Sequence, residues 1–258
     1  MSTPPIAAPV DPNATSQPDL SEPQRIIDTF IAPRKTFEDL KRNASWWAPF
    51  VLSAVFSLLF GAVAVQKIDL VRFTRQQIEQ SKLAQRQMEQ LSPEQKEQAI
   101  QGRAAFTKVV FFISPAFALV GGLVIGAILM AVFNFGFAAE VPYKRALAIV
   151  FYSFLPRILY TILLGVSLLV AVDPDTIDIA GNPMPTNPGF FMDPQGNKFL
   201  YSLASNLDIS ALWVVALLGL GFSAVSKNRK LTAGTGMTTM FVIYGIVTLI
   251  GAAIKAAF

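Results

Sequence analysis

The stretch VVFFISPAFALVGGLVIGAILMAVFNFGF, at residues 109–137, decides the fold class of this chain. It contains no charged residue, and a helix of about 20 such residues crosses the hydrocarbon core of a bilayer, which is about 30 Å thick. Four further runs are similarly apolar, at residues 46–65, 146–172, 209–226 and 237–257. Helices that are apolar on every side need lipid or a large protein core around them. The sequence therefore predicts an all-α fold, a polytopic membrane bundle of five transmembrane helices.

The composition of the whole chain excludes several classes of function. Of 258 residues, 53% are hydrophobic and only 15% are charged, which is typical of a small membrane protein. Without Cys and His, the chain cannot form disulfides, Cys/His zinc sites or histidine general bases. No phosphate-binding glycine loop or nucleophile elbow occurs, and no basic stripe with interleaved aromatic residues indicates nucleic acid binding. We therefore expect no enzymatic activity, no cofactor, no metal and no nucleic acid partner.

The polar segments define the predicted organisation of the chain. Residues 1–24 are rich in Pro, Ser and Asp, and they predict a disordered tail. Residues 25–45 carry apolar side chains at helical spacing beside basic ones, which predicts two interfacial amphipathic helices lying on the membrane. Residues 46–258 then form the five-helix transmembrane domain.

Two insertions interrupt the predicted transmembrane domain. Residues 66–108 are rich in Gln, Glu, Lys and Arg, and they predict an extramembrane helical hairpin continuous with the first and second spans. Its second helix is predicted to begin at Ser92, because Pro93 and Gln95 complete a capping signal. Residues 173–208 are rich in Pro and Gly and predict turns. The acidic start of this loop lacks the glycine and the closing glutamate of a calcium-binding loop.

Basic and aromatic side chains surround the start of the first predicted span. Tryptophan favours the membrane–water interface, and lysine and arginine attract anionic headgroups. We expect these side chains to contact lipid: Arg34, Lys35, Lys41, Arg42, Trp46 and Trp47. The bilayer and its anionic lipids are therefore the expected partners, and a protein partner stays open. Charge reversal at the four basic residues is predicted to weaken the binding of anionic lipid.

The loops also predict how the chain is oriented. Lysine and arginine accumulate on the cytoplasmic side of membrane proteins, most clearly in short loops. Residues 227–230 are almost wholly basic, whereas residues 173–208 contain Lys198 against five Asp. This contrast predicts a cytoplasmic N-terminus and, with five spans, places the C-terminal Phe258 outside.

Arg157 is the one clear charge deep inside a predicted span. An ionisable side chain at that depth is costly, so it should face the bundle and have a partner. Asp208 and Glu140 are the candidate carboxylates. Two interpretations stay open. Arg157 is either a structural clamp, or it contacts a lipid headgroup or the path of an ion or proton.

Ala118, Gly122 and Gly126 form a face of small residues on the second predicted span. Such faces allow two helices to approach closely. The pattern suits packing within the chain, and it also suits dimerisation. Pro115 and Pro156 are expected to kink their helices, with neighbouring spans satisfying the freed carbonyl groups.

The third predicted span carries a motif that resembles a family signature. The sequence YSFLP at residues 152–156 is similar to the tyrosine–serine–hydrophobic–proline signature of the Yip family, the Ypt/Rab-interacting membrane proteins with five spans. Tyr152, Ser153 and Pro156 carry this match. The segments FIAPRKTF at residues 30–37 and LDISALW at residues 207–213 resemble the prokaryotic branch. The resemblance extends over about residues 25–257.

Two departures limit what this resemblance implies. Eukaryotic members carry an Asp-Leu-x-Gly-Pro motif before the first span, whereas Asp39 and Leu40 are followed here by KRN. The glycine that often precedes the tyrosine of the signature is Phe151. Rab binding is therefore not transferred to any residue of this chain.

The resemblance implies a non-enzymatic membrane scaffold, or a trafficking or membrane-organisation factor, in the bacterial inner membrane. The alternative is a small transporter or channel component with Arg157 lining its path. A third hypothesis is a partner-binding module built on the hairpin at residues 66–108. A water-accessible cavity at Arg157 would favour the transporter, and a dry, paired Arg157 would favour the scaffold.

Overall fold

A computed structural model describes residues 19–179, 181–194 and 196–257 of the chain. Every regular element in these residues is helical, so the predicted all-α fold is confirmed. Eleven α-helices are numbered in chain order: α1 Glu22–Ile31, α2 Pro33–Asp39, α3 Trp47–Lys67, α4 Leu70–Gln80, α5 Lys82–Glu89, α6 Pro93–Phe137, α7 Tyr143–Ser153, α8 Pro156–Val170, α9 Lys198–Asn206, α10 Ile209–Val225 and α11 Ala233–Ala257. Of the predicted disordered tail, residues 1–18 lie outside the described residues, and residues 22–24 belong to α1.

Several of these helices are long and apolar enough to cross a membrane. Counted over the described residues, four qualify: α3, α6, α7 with α8 as one segment, and α11. Helix α10 has 17 residues and falls short alone, but α9 and α10 together qualify as a fifth span that is bent by 57°. The predicted count of five therefore holds if this bent pair is one span. The chain is an integral membrane protein made of helices.

The extramembrane insertion differs from its prediction at one end. Helix α6 has 45 residues and runs without interruption through Pro115 into the second span. Ser92 forms the predicted capping box with Gln95 at its start. The first span, in contrast, ends at Lys67, and α4 starts separately because the Asp69 carboxylate accepts hydrogen bonds from the first backbone N–H groups of α4. The insertion is continuous with the second span only.

The Pro/Gly-rich loop contains a helix that the sequence analysis missed. Two short 3₁₀ turns occupy residues 174–176 and 188–191, in agreement with the prediction of turns. Residues 198–206 form α9, which contains neither Pro nor Gly. The side chain of Asn197 caps this helix by accepting from Leu200 N at 3.0 Å. The capping residue Asn197 was visible in the sequence. The Pro and Gly content of the whole loop favoured turns, so this helix was not predicted.

Helix α7 lies at the centre of the molecule. All of residues 146–153 are buried, because α6, α10 and α3 pack around this helix. Beside it, the rings of Phe133 on α6 and Phe222 on α10 stack at a centroid distance of 4.5 Å. Helix α2 covers α10 from another side, and its Phe37 is fully buried. The N-terminal helices are thus part of the packed core and do more than lie on its surface.

The polar segments gather at two opposite ends of the bundle. At the basic end, defined as residues 33–45, 138–145 and 226–232, Lys227 N donates to Ala139 O at 3.0 Å and Arg145 donates to Lys41 O at 2.7 Å. At the hairpin end, defined as residues 66–108 and 173–197, Gln80 donates to Asp178 at 3.1 Å. Both insertions therefore lie at the same end of the bundle, opposite the short basic loops.

Candidate functional site

A buried arginine joins the two N-terminal helices. The side chain of Arg25 on α1 is 1% exposed, and its Nε donates to Asp39 on α2 at 2.7 Å. Arg42 donates to the other oxygen of Asp39 at 2.6 Å, and Glu22 lies 3.3 Å from Arg25 Nη1. The carbonyl oxygen of Arg25 accepts from the hydroxyl of Thr36, which sits on α2. These contacts fix α1 against α2 as one unit, which is called the N-terminal clamp below.

Electrostatics keep both members of the central pair ionised. Burial alone would raise the pKa of Asp39, but the hydrogen bonds from Arg25 and Arg42 outweigh it and hold the pKa below its ordinary value. Burial alone would lower the pKa of Arg25, and the hydrogen bond and charge of Asp39 outweigh it and raise that pKa. The clamp is therefore a permanent ion pair at neutral pH.

The residues of the family-like signature connect the clamp to the centre of the bundle. The hydroxyl of Tyr152, on the buried helix α7, donates to Glu22 on α1 at 2.7 Å. Ser153 is buried, and its hydroxyl has no hydrogen-bond partner among the described residues. Pro156 begins α8 after a break at residues 154–155, where the sequence predicted a kink. Tyr152 thus ties α1 to the signature segment.

The side chains predicted to contact lipid fall into two groups. Three of the four cations are engaged with carboxylates of the N-terminal helices: Arg34 with Glu38 at 2.8 Å, Lys35 with Asp28 at 3.0 Å, and Arg42 with Asp39. Trp47 is 57% exposed. Trp46 instead stacks on Phe151 at 5.4 Å. Only part of the predicted set is therefore available to headgroups.

Four exposed cations at the basic end form no ion pair with any described residue: Lys41, Lys144, Arg229 and Lys230. They come from three segments far apart in the chain, which only the fold brings together. On α1, Ile27 is 58% and Ile31 75% exposed. The basic end itself presents four exposed cations that have no carboxylate partner among the described residues.

Arg157 has one of the two carboxylates considered for it as a neighbour. Its Nη1 lies 3.5 Å from Asp208 and 3.0 Å from the hydroxyl of Ser210. The guanidinium group also stands 4.8 Å above the ring of Tyr160. Glu140 pairs instead with Lys227 at the basic end, at 2.9 Å. The side chain of Arg157 nevertheless remains 45% exposed.

Asp208 also caps α10 at the bend between α9 and α10. Its carboxylate accepts from Ser210 N at 3.0 Å and Ala211 N at 3.2 Å, which caps α10. It also accepts from the hydroxyls of Thr186 and Ser210. Arg157 therefore contacts a carboxylate that is already satisfied by four other donors.

A cavity of about 290 Å³ lies beside Arg157, between α3, α6 and the α7–α8 break. Its walls are mostly apolar, and its lining includes Phe50, Ser53, Ser57, Ala118, Gly121, Phe154 and Thr161. Two members of the small-residue face of α6, Ala118 and Gly122, line the cavity. Gly122 and Gly126 also pack against α7, where a Cβ on Gly122 would stand 2.6 Å from the ring of Phe151. The glycines thus serve packing within the chain.

The described residues contain no group of three acidic side chains arranged to hold a metal ion. In the acidic loop, Asp173 caps a 3₁₀ turn, Asp175 accepts from Arg72 at the hairpin end, and Asp178 accepts from Gln80. These carboxylates hold the two insertions together.

Sequence reasoning missed the N-terminal clamp. Arg25 was taken as the first residue of a surface helix, and its partner Asp39 lies on a different helix. The one signal in the sequence is indirect: Arg25 lies four residues before Thr29 on one face of α1, and the Thr29 hydroxyl donates to Arg25 O. That signal does not identify the partner.

The comparisons with known proteins support a family assignment. A family model, the Yip1 domain, matches residues 27–253, which is most of the chain. Neither the curated proteins nor the solved structures gave a match. The matched region begins within α1, ends within α11, and contains the signature tyrosine and all the candidate spans between them. The chain belongs to the Yip1 domain family.

Proposed function

We propose that this protein is a non-enzymatic membrane scaffold, a trafficking or membrane-organisation factor of a bacterial inner membrane. It gathers anionic lipids, and through them or directly a protein partner, at its basic end. The observation that carries the proposal is the cluster there of four exposed cations that form no ion pair with any described residue.

The N-terminal clamp supports this proposal because it makes the surface rigid. Without the Arg25–Asp39 pair, α1 and α2 would be two short helices of 10 and 7 residues, too short to be stable alone. The pair, together with the Tyr152–Glu22 hydrogen bond, fixes α1 to the bundle. Lys41, two residues after Asp39, is therefore held at a constant position relative to the spans.

Electrostatics support anionic lipid as the ligand of this surface. A lysine or arginine near an anionic membrane surface contributes about 1 kcal/mol of attraction, which falls off within a Debye length. We expect four cations without an ion pair among the described residues to make the basic end bind anionic lipid in preference to zwitterionic lipid. The positive-inside tendency favours the basic end as the cytoplasmic one.

Charge reversal tests the proposal. In the test variant, Lys41, Lys144, Arg229 and Lys230 are all changed to Glu. In the matched control, four cations of the hairpin end that form no ion pair with a described residue are changed to Glu: Lys82, Arg86, Lys96 and Lys108. Native mass spectrometry of protein purified from mixed lipid should show loss of anionic lipid in the test variant and retention in the control. Equal retention in both variants would refute the proposal.

The transporter interpretation receives less support. Arg157 has a carboxylate and a hydroxyl as neighbours, and the walls of the adjacent cavity are mostly apolar. A hydrated solute or ion requires polar groups along its path. The apolar walls of this cavity favour hydrocarbon over a hydrated solute or ion.

A further inference from the structure

The cavity beside Arg157 has the chemistry of a binding site for one membrane lipid. We propose that a phospholipid inserts part of one acyl chain into the cavity between α3, α6 and the α7–α8 break, and that the free edge of Arg157 binds its phosphate. This site is distinct from the basic end, and it does not depend on the function proposed for that surface.

The position of Arg157 on its helix supports the proposal. It lies on the same face of α8 as Thr161, Leu164 and Leu168, and both leucines are buried. The lipid-facing side of α8 carries other residues, such as Leu163 and Val166, which are exposed. Arg157 therefore lies on the inward face of α8, and it forms part of the cavity wall.

The hydrogen bonds of Arg157 are incomplete. Only Nη1 has acceptors among the described residues, on Asp208 and Ser210. Nε and Nη2 have none there, although a guanidinium group carries five N–H donors. A charged donor without an acceptor is costly at membrane depth. An acceptor from outside the chain would satisfy these donors, and phosphate matches the planar fork of arginine in geometry and charge.

The chemistry of the cavity wall indicates what the part of the ligand away from Arg157 should be. The three hydroxyl groups of the lining donate to helix carbonyls or to another hydroxyl: Ser53 to Pro49 O, Thr161 to Arg157 O, and Ser57 pairs with Ser114. Apart from Arg157, the wall thus offers no free side-chain donor among the described residues. A ligand that is apolar along its length and anionic at one end fits this arrangement. A membrane phospholipid has both properties.

The volume is consistent with part of a single chain. An apolar cavity of about 150 Å³ admits a benzene ring. The present cavity, at about 290 Å³, holds a segment of an acyl chain and not a whole lipid. The remainder of the lipid would stay in the bilayer, with its phosphate drawn towards Arg157.

Two glycines on one helix provide a matched pair of variants. A Cβ on Gly121, which lines the cavity, and a Cβ on Gly136, which lies elsewhere on α6, would each meet no atom within 4 Å. Gly121→Leu adds a bulky side chain at the cavity wall, and Gly136→Leu makes the same substitution away from the cavity. Thermal unfolding of both variants establishes that the fold is retained.

The test uses phosphatidylglycerol with a photoreactive group in its acyl chain, in vesicles that contain the full-length protein. We expect labelling of cavity residues such as Ala54 in the unchanged protein, and at least about threefold less in Gly121→Leu, because leucine occupies the space of the chain. Gly136→Leu should match the unchanged protein. Arg157→Gln should reduce cavity labelling about fivefold, and Arg157→Lys less, because lysine keeps the charge but loses the bidentate fork.

Two results would overturn the proposal. One is equal cavity labelling in Gly121→Leu and Gly136→Leu, or labelling confined to outward-facing residues such as Val55. The other is a cavity signal that Arg157→Gln leaves unchanged, since the phosphate contact would then be absent. Neither result depends on the charge reversal at the basic end, so the two proposals fail separately.

Discussion

Single buried charges decide how the N-terminal segment of this protein is held. The guanidinium group of Arg25 is enclosed, and the carboxylate of Asp39 has the hydrogen bonds of two arginines. A buried ion pair contributes little net stability compared with apolar packing, but the removal of one partner leaves an uncompensated charge. In contrast, the Arg34–Glu38 pair on α2 is well exposed, and such pairs contribute about 0–1 kcal/mol. The clamp is therefore the sensitive point of this segment.

Acid should weaken the clamp. The pKa of Asp39 in the folded protein lies below its unfolded value, which is about 3.9. Its contribution to stability is thus fully present above about pH 4, and it is lost as the pH falls through the folded pKa. Thermal unfolding in detergent, followed from pH 7 to pH 3, should show this loss.

The variant Asp39→Asn provides the control for the effect of acid. It leaves Arg25 buried without its counter-charge, so we expect it to lose about 3–5 kcal/mol at pH 7. The difference in stability between the two proteins should shrink as the pH falls, because the unchanged protein loses its own carboxylate charge. A difference that stays constant down to pH 3 would contradict the role assigned to Asp39.

At the scale of helices, close backbone approach fixes the pairing of α10 with α11. A Cβ on Gly219 of α10 would stand 2.5 Å from the Cα of Met237 on α11, a distance that real Cβ atoms do not adopt. Gly236 of α11 approaches Gly219 equally closely. Small residues of this kind allow membrane helices to pack through their backbones, where dispersion and weak hydrogen bonds replace the hydrophobic effect.

An alanine at Gly219 should separate these two helices. We expect Gly219→Ala to destabilise the protein by about 1–3 kcal/mol, because backbone atoms cannot give way to a methyl group. Gly245→Ala on α11 is the matched control. Its Cβ would meet no atom within 4 Å, so the change should be neutral or slightly stabilising through helix propensity. Unfolding midpoints in detergent measure both, and similar values for the two variants would refute the backbone contact.

Over the whole molecule, charge is distributed unequally between the two ends of the bundle. The basic end collects cations from three short segments, whereas the hairpin end mixes both signs and is connected by the contacts of Arg72 and Gln80 with the acidic loop. Because both insertions lie at one end, the proposed orientation places the short loops and the long insertions in different compartments. This arrangement gives the orientation proposal a direct test.

Labelling at introduced cysteines should separate the two ends. The chain has no cysteine, so each variant carries a single reactive thiol. In intact cells, we expect a membrane-impermeant maleimide to label Lys82→Cys, at the hairpin end, and to leave Lys230→Cys unlabelled until the membrane is permeabilised. Labelling of Lys230→Cys alone in intact cells would reverse the proposed orientation, and equal labelling of both would refute the assignment of the two ends.

The sequence by itself determined that this is a helical membrane protein of the Yip type. Length and apolar composition are local properties, and a bilayer converts them directly into helices that span it. Capping is local too, so the start of α6 at Ser92 was predicted correctly. The short signature at residues 152–156 identified the family because it needs only adjacent residues.

Only the tertiary structure decided which charges meet. Asp39 pairs with an arginine on another helix, Glu22 accepts from a tyrosine on the central helix, and Glu140 binds Lys227. Such pairs depend on how helices cross, and no periodic pattern along the chain encodes them. The same holds for the cavity beside Arg157, whose wall is built from residues of α3, α6 and the segment around the α7–α8 break. The bilayer requires each span to be an apolar helix, and this property is visible in each segment by itself. Which polar groups meet depends instead on how the helices pack against one another.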